Sequence, residues 1–232
     1  MHQNKVVIVT GAFGALGQSV ARTLAAQGAK LALLDAAAAV PDALKQAFQA
    51  HLVLSGIDLS RDETTAAAVS RVVSQFGHVD ALVNIAGGFA WETVEAGHIA
   101  TWERMFAMNL KTALHACRAV LPHLIAKGAG RIVNIGAAGA GRAGAGMGAY
   151  AASKSGVLRL TEALSEETKD RGLTVNAILP GIIDTPTNRK DMPDADHTRW
   201  VAPEAIADVV SFLLSDAARA VTGAGIPVMG RL

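Results

Sequence analysis

Residues 6–17 read Val6-Val7-Ile8-Val9-Thr10-Gly11-Ala12-Phe13-Gly14-Ala15-Leu16-Gly17. The β-branched apolar run is typical of a buried strand, and a helical pattern begins near Ala15. Glycines between a strand and a helix allow a tight turn, let the backbone approach a pyrophosphate closely, and leave helical N–H groups free to bind it. The residues predicted to contact a dinucleotide in this turn are Gly11, Phe13, Gly14, Ala15, Leu16 and Gly17.

Apolar strand-like runs alternate with helical patterns almost to the end of the chain. Strands are predicted at residues 6–10, 30–35, 52–54, 81–84, 131–135, 174–179 and 226–229. Helices are predicted at residues 15–27, 42–50, 62–76, 101–127, 150–170 and 203–215. Continuous apolar strands separated by helices indicate a parallel sheet covered on both faces, with ligands at the carboxyl ends of its strands. The predicted fold class is therefore α/β, a single doubly wound Rossmann-type sheet in one domain over residues 1–232.

Composition and charge narrow the class of protein. Hydrophobic residues make up 51% of the chain, yet no apolar run is long enough to cross a bilayer, and the first strand leaves no room for a signal peptide. We therefore expect a cytoplasmic protein without a membrane partner. A net charge of +1 without a basic stripe makes nucleic acid an unexpected partner. The single cysteine, Cys117, is expected to be buried, and no histidine spacing predicts a metal site.

Tyr150 is the only tyrosine in the chain, and it stands four residues before Lys154. On a helix the two side chains would share one face. A phenol normally loses its proton near pH ~10, and an adjacent ammonium group lowers that pKa. The pair is therefore a candidate general acid and base.

The end of the second predicted strand carries an acid, Asp35, 18 residues after Gly17. A carboxylate there can accept hydrogen bonds from an adenosine ribose and would repel a 2′-phosphate. No Arg or Lys stands in the Gly-rich turn or directly after Asp35. We therefore predict that the cofactor is NAD(H), with NADP(H) disfavoured.

These motifs resemble the short-chain dehydrogenase/reductase family over essentially the whole chain. The Gly-rich turn follows the family's TGxxxGxG pattern at Gly11 and Gly17, with Ala15 in the middle place. Further matches are the adenine-contacting pair Asp58-Leu59, the strand end Asn84-Ile85-Ala86-Gly87, the helix asparagine Asn109, the pair Tyr150 and Lys154, and the nicotinamide-binding segment Pro180-Gly181-Ile182-Ile183-Asp184-Thr185.

The resemblance implies a role for each matched residue. Tyr150 would exchange a proton with the substrate, and Lys154 would lower the pKa of Tyr150 and hold the nicotinamide ribose. Asn109 would anchor a proton-relay water. The residues that would bind the dinucleotide, besides the Gly-rich turn and the catalytic pair, are Asp35, Asp58, Leu59, Asn84, Ala86, Gly87, Pro180, Gly181, Ile183 and Thr185.

One position departs from the family. The family usually places a serine 13 residues before the tyrosine, where it binds the substrate carbonyl oxygen, and this chain has Ala137. Residues 136–149 contain no Ser or Thr. Loss of one such donor costs ~100- to 1000-fold in turnover when an oxyanion develops. A reaction that spreads charge over a conjugated ring would lose less.

A second resemblance is to the dihydropteridine reductase branch. It covers residues 179–200, the Ala86-Gly87-Gly88 turn and the serine-free loop before Tyr150. That branch prefers NADH and reduces quinonoid dihydropterins. Thr10-Gly11 and Asn109, however, are typical of the other members of the family. Residues 185–202 would form a substrate lid, and the predicted substrate contacts are Trp91, Ala137, Met147 and Trp200.

Three functions stay open at this point. The first is an NAD(H)-dependent oxidoreductase that transfers a hydride between nicotinamide and a small carbonyl or a conjugated heterocycle, such as a quinonoid dihydropterin. The second is a ketoreductase or alcohol dehydrogenase, and the third is a non-catalytic NAD(H)-binding redox sensor. The Ala- and Leu-rich helices predicted at 101–127 and 150–170, together with the resemblance, predict a homodimer or homotetramer.

Overall fold

A parallel sheet forms the centre of the computed structural model, which describes residues 1–231. Its strands are β1 (Val6–Thr10), β2 (Lys30–Leu34), β3 (Leu52–Leu54), β4 (Ala81–Asn84), β5 (Gly130–Ile135), β6 (Leu173–Pro180) and β7 (Gly225–Val228). Their order in the sheet is β3-β2-β1-β4-β5-β6-β7, and every pairing is parallel. The predicted doubly wound α/β fold is confirmed.

Helices cover both faces of this sheet. They are α1 (Ala15–Ala26), α2 (Asp42–Ala47), α3 (Asp62–Phe76), α4 (Ile99–Met105), α5 (Thr112–Lys127), α6 (Gly148–Thr168), α7 (Pro186–Asp191) and α8 (Pro203–Leu214). Successive residues of a strand point to opposite faces, so Val7 and Val9 pack against α1 and α8, whereas Val6 and Ile8 pack against α3 and α5. Because both faces are buried, the strands are apolar throughout.

Several predicted boundaries differ from the structure. The helix predicted at 101–127 begins two residues earlier and is interrupted by a π-helix, Phe106–Lys111, which separates α4 from α5. The helix predicted at 42–50 ends at Ala47, and the one predicted from residue 150 begins at Gly148. The segment predicted as a lid contains the short helix α7, and a β-bridge joins Ile183 to Val201 across it.

The strand order reverses beside β1, which lies between β2 and β4. A crevice opens at such a point because the connections leave the sheet in opposite directions. The hydroxyl of Thr10, at the end of β1, accepts hydrogen bonds from the backbone N–H groups of Ile85 (3.1 Å) and Ala86 (3.2 Å), which follow β4. The ends of β1 and β4 are thereby tied together under the site.

Residues 1–231 contain neither a helix suited to spanning a membrane nor a cluster of metal ligands. None of the helices there combines the length and apolar character that a bilayer span requires. The same residues contain no group of three His, Cys, Asp or Glu side chains that could hold a metal ion.

Candidate active site

A cleft of about 1710 Å³ follows the carboxyl ends of the strands. The Gly-rich turn and Asp35 line one end of it, and Tyr150 and Lys154 line the other. The two predicted parts of the site, the dinucleotide turn and the acid/base pair, therefore line one continuous cleft.

The Gly-rich turn is packed backbone against backbone. Gly11 has a φ of +62°, and a Cβ there would lie 2.8 Å from the backbone nitrogen of Ala86. A Cβ on Gly17 would lie 2.2 Å from the carbonyl oxygen of Gly11, so neither position accepts a side chain. At Gly14 the nearest atom would be 3.5 Å away, so a methyl group would fit there. The first N–H groups of α1, which begins at Ala15, have no intrahelical acceptor and are available to a ligand.

Carboxylates line the same end of the cleft. The two Asp35 oxygens accept hydrogen bonds from the backbone N–H groups of Phe13 (2.9 Å) and Ala37 (3.0 Å), which fix the side chain at the rim of the turn. Asp58 lies nearby, and hydrogen bonds from the Ser60 hydroxyl and N–H hold its pKa below the usual range.

The loop after β4 crosses the centre of the cleft. A Cβ on Gly87 would lie 2.5 Å from Asn109 Oδ1 and 3.4 Å from Lys154 Nζ, so the backbone of this loop passes directly over both side chains. Ala86 and Gly87 line the cleft, but Asn84 does not. Its side chain is buried, and its amide donates to Asn134 Oδ1 at 2.9 Å, on the neighbouring strand. The predicted contact between Asn84 and a dinucleotide would therefore have to be indirect.

Helix α6 carries Tyr150 and Lys154 on the face towards the cleft. The Lys154 amino group is buried and donates a 2.8 Å hydrogen bond to the carbonyl oxygen of Ile135. Burial lowers the pKa of Lys154 to about 8, and burial raises the pKa of Tyr150. The net shift of the Tyr150 pKa is therefore opposite to the predicted lowering, because loss of solvation disfavours the phenolate.

Asn109 lies in the π-helix and is only 1% exposed. Its amide donates to the carbonyl oxygen of Gly88 (3.1 Å) and to the hydroxyl of Ser153 (3.0 Å), and its oxygen accepts from the N–H of Gly88 (2.9 Å). Both N–H groups of the side chain are thus used inside the protein. That Asn109 anchors a relay water stays a prediction.

The segment after β6 forms the wall opposite the catalytic helix. Pro180, Gly181 and Ile183 line the cleft as predicted from the motif, whereas Thr185 does not. The Thr185 hydroxyl instead caps α7, where it accepts a 3.2 Å hydrogen bond from the N–H of Asn188.

Three of the four predicted substrate contacts line the cleft, and one does not. Ala137, Met147 and Trp91 line the cleft, and Trp91 is 63% exposed. Trp200 is only 7% exposed and packs its ring 4.3 Å from that of His197, away from the cleft lining. The prediction that Trp200 stacks on a substrate is wrong for this structure, because its indole, within the lid segment, is buried and does not line the cleft.

Residues 5–196, most of the sheet and the whole catalytic helix, match the short chain dehydrogenase family. The chain belongs to that family. It is therefore an oxidoreductase that uses a nicotinamide cofactor and acts on a small molecule.

Individual relatives of this short-chain dehydrogenase span nearly its full length. The D-beta-hydroxybutyrate dehydrogenase of Rhizobium meliloti (strain 1021) is 33% identical over 213 residues, which cover 89% of this chain and 82% of the relative. The 3-oxoacyl-[acyl-carrier-protein] reductase FabG of Pseudomonas aeruginosa is 34% identical over 240 residues, which cover 98% and 97%. The crystal structure of an NAD+-bound xylitol dehydrogenase superposes with a TM-score of 0.88 at 28% identity and covers 98% of each chain.

This short-chain dehydrogenase has a methyl group where its family usually has a hydroxyl. Ala137 follows β5 in an extended conformation and is followed by a short 3₁₀ turn, Ala138–Ala140. Its side chain lies in the lining of the cleft. The position that would meet a substrate carbonyl therefore offers no side-chain hydrogen bond.

Sequence reasoning missed several residues of this short-chain dehydrogenase's substrate end. The ring of Phe89 lies 5.0 Å from that of Tyr150 in an edge-to-face arrangement, and Phe89 is 57% exposed. An isolated aromatic residue in a loop belongs to no periodic pattern, so the sequence does not indicate which way its side chain points. Besides the predicted Met147, three further methionines line the cleft from separate segments of the chain, and these are Met108, Met192 and Met229.

The loop that carries Phe89 and Trp91 packs on the loop that carries Met147. A Cβ on Gly146 would lie 2.2 Å from the indole of Trp91, so the ring rests directly on the glycine backbone. The N–H of Glu92 donates to the carbonyl oxygen of Gly146 at 2.8 Å. Trp91 is thereby held in a fixed place at the mouth of the substrate end.

Proposed function

We propose that this enzyme is an NAD(H)-dependent reductase of a flat, conjugated carbonyl or heterocycle, with a quinonoid dihydropterin as the specific candidate. The observation that carries the proposal is Ala137 beside an intact Tyr150 and Lys154. The acid/base pair is present, but the hydroxyl that would stabilise a localised oxyanion is not. A conjugated acceptor needs that hydroxyl least, because no single oxygen gains the full charge.

The dinucleotide end of the cleft fits the proposed cofactor. Gly11 and Gly17 let the turn pack tightly against its own backbone and against the loop after β4, and the N-terminus of α1 can receive a pyrophosphate. The Asp35 carboxylate would accept the adenosine ribose hydroxyls, and no Lys or Arg stands among the described residues that line this end. That the related xylitol dehydrogenase structure holds NAD+ also supports the choice. The bound cofactor would supply or accept the hydride.

Asp35→Ala tests the cofactor preference. We expect the unmutated enzyme to bind NADH more tightly than NADPH, and the substitution to weaken NADH about tenfold or more, since a hydrogen bond to a charged group contributes ~1.5–3 kcal/mol. NADPH should bind as well or better, because a like charge is removed. Fluorescence titration gives both dissociation constants, and Asp62→Ala on α3, outside the cleft, is the control. Equal constants in the unmutated enzyme would refute the preference.

The proton would come from Tyr150. Burial raises its pKa, so the phenol keeps its proton at neutral pH and can donate it to the reduced substrate. Lys154, with a pKa of about 8, is mostly protonated at pH 7, and its charge would stabilise the phenolate left behind. A Tyr150 phenol that is protonated before the reaction favours reduction of the substrate, which needs a proton donor, over oxidation, which needs a base.

The side chains at the substrate end support a flat, conjugated substrate. Phe89 and Trp91 present exposed aromatic rings, and the methionines offer flexible, polarisable thioethers that favour aromatic partners. The lid segment, residues 185–202, contributes Asn188 and Met192 to the same space. We infer that this segment covers the substrate, and that the enzyme acts as a homodimer or homotetramer through its Ala- and Leu-rich helices α5 and α6.

Consumption of NADH with a matched panel of acceptors tests the proposal. The panel contains a quinonoid dihydropterin, a planar quinone, acetoacetate and a simple aliphatic ketone. We expect the first two to give kcat/KM values at least tenfold above the others. A preference for acetoacetate or the ketone would overturn the proposal.

A ketoreductase is the second candidate function. Its support is the similarity to a 3-oxoacyl-[acyl-carrier-protein] reductase and to a D-beta-hydroxybutyrate dehydrogenase. The same panel, extended with an acetoacetyl thioester, separates it from the first. Binding of NADH without turnover of any acceptor would favour a redox sensor instead.

A further inference from the structure

A continuous set of hydrogen bonds joins the loop after β4 to the catalytic helix. The side chain of Asn109 forms two hydrogen bonds with the backbone of Gly88. Its oxygen accepts from the N–H at 2.9 Å, and its amide donates to the carbonyl oxygen at 3.1 Å. The other N–H of Asn109 donates to Ser153 Oγ at 3.0 Å, and the Ser153 hydroxyl donates to the carbonyl oxygen of Tyr150 at 2.7 Å. The hydrogen-bonded path from the loop to the first turn of α6 therefore passes through only two side chains.

These two side chains are closed to ligands. Ser153 has no exposed surface and Asn109 is 1% exposed. The single O–H of Ser153 is used by Tyr150, and both N–H groups of Asn109 are used by Gly88 and Ser153. Neither group can therefore pass a proton to the substrate or bind it directly, so the connection acts on position.

A second serine on the same helix shows what is unusual about Ser153. Serines in helices commonly donate back to the carbonyl three or four residues earlier. Ser165 does this to Glu162 at 3.0 Å and is also buried. Among the described residues, however, no side chain donates to Ser165, whereas Ser153 receives the amide of Asn109 from a different element. This additional hydrogen bond connects α6, through Asn109, to the backbone of the loop after β4.

We propose that Ser153 is a positioning residue for Tyr150. Through Asn109 it fixes the backbone of Tyr150 relative to Gly88, beside the loop that crosses the cofactor cleft. A proton donor has to stand within hydrogen-bond reach of the reacting atom, and a misplacement of ~1 Å can cost as much as ~100-fold in rate. The proposal rests on the proposed function only in that Tyr150 is the proton donor.

Ser153→Ala, compared with Ser165→Ala, tests this assignment. Each variant loses one buried hydroxyl and one helical i−3 hydrogen bond, so both should lose similar thermal stability. We expect only Ser153→Ala to lower kcat, about tenfold, with an unchanged KM and an unchanged dissociation constant for NADH. Its solvent deuterium isotope effect on kcat should rise, because proton transfer becomes slower. In Asn109→Ala, Ser153→Ala should have little further effect, since the connection is already broken.

A second readout needs no substrate. Tyr150 is the only tyrosine, so the ultraviolet absorbance of its phenolate reports its ionisation alone. Burial raises the pKa of Tyr150, and a loosened first turn should admit water and bring that pKa down towards its usual value in Ser153→Ala but not in Ser165→Ala. Equal titration curves for both variants would overturn the positioning role. If no acceptor is reduced, the proposed function fails while the titration still decides the role of Ser153.

Discussion

Tyr150→Phe is expected to lower turnover at least ~100-fold, the scale of lost general acid catalysis. The phenol is the proton donor proposed for the substrate end, and Phe89 and the other apolar side chains around it cannot replace it. Binding of NADH should change little, because the Gly-rich turn and Asp35 are untouched. Steady-state kinetics and a fluorescence titration measure the two effects.

Loss of the Tyr150 hydroxyl should not unfold the protein. Among residues 1–231 no hydrogen bond to that hydroxyl is formed, so its removal leaves no buried partner unsatisfied. The melting temperature of the variant is therefore the control. Near-normal turnover in a stable variant would mean that the proton reaches the substrate by another route.

Ala137→Ser should raise the kcat/KM of the enzyme for a simple ketone but not for the conjugated heterocycle. For a simple ketone the new hydroxyl would stabilise the developing oxyanion, and a hydrogen bond to a charged group, worth ~1.5–3 kcal/mol, corresponds to a gain of about tenfold or more. For the conjugated heterocycle no single oxygen gains full charge. The hydroxyl should then be neutral or should crowd the ring.

The measurement is kcat/KM for acetoacetate and for quinonoid dihydropterin in both proteins. Ala140→Ser is a matched control, since it adds the same hydroxyl to the same loop outside the cleft lining. A gain on the heterocycle without a gain on the ketone would reverse the interpretation of Ala137.

The sequence predicted well those features that depend on local pattern. Strands were recognisable because both faces of the sheet are buried, which makes their residues apolar without interruption. The spacing of Tyr150 and Lys154 placed them on one helical face, and both line the cleft with Asp35. Each of these needs only the periodicity of one element and the rule that parallel strands end together.

What the sequence could not predict depends on contacts between distant segments. The side chain of Trp200 is buried within the lid segment, and the indole of Trp91 packs on Gly146. The sign of the Tyr150 pKa shift likewise depends on how much of the phenol is buried, which its distance from Lys154 in sequence does not contain. The sequence does not distinguish Ser153 from other helical serines, because the Asn109 side chain meets it only in the folded structure.

The π-helix has a consequence for how this part of the chain tolerates insertion and deletion. In an α-helix each residue turns the next side chain by ~100°, and the i→i+5 hydrogen bond of a π-helix spans one residue more than the hydrogen bond of an α-helix. The extra residue between α4 and α5 sets the rotational phase that lets Trp102 pack on Gly148 while Val120 still faces the sheet. Removing one residue from Phe106–Lys111 would give a more regular helix with one of those two faces turned away from its partner. The length of this segment is therefore constrained in addition to the identity of Asn109.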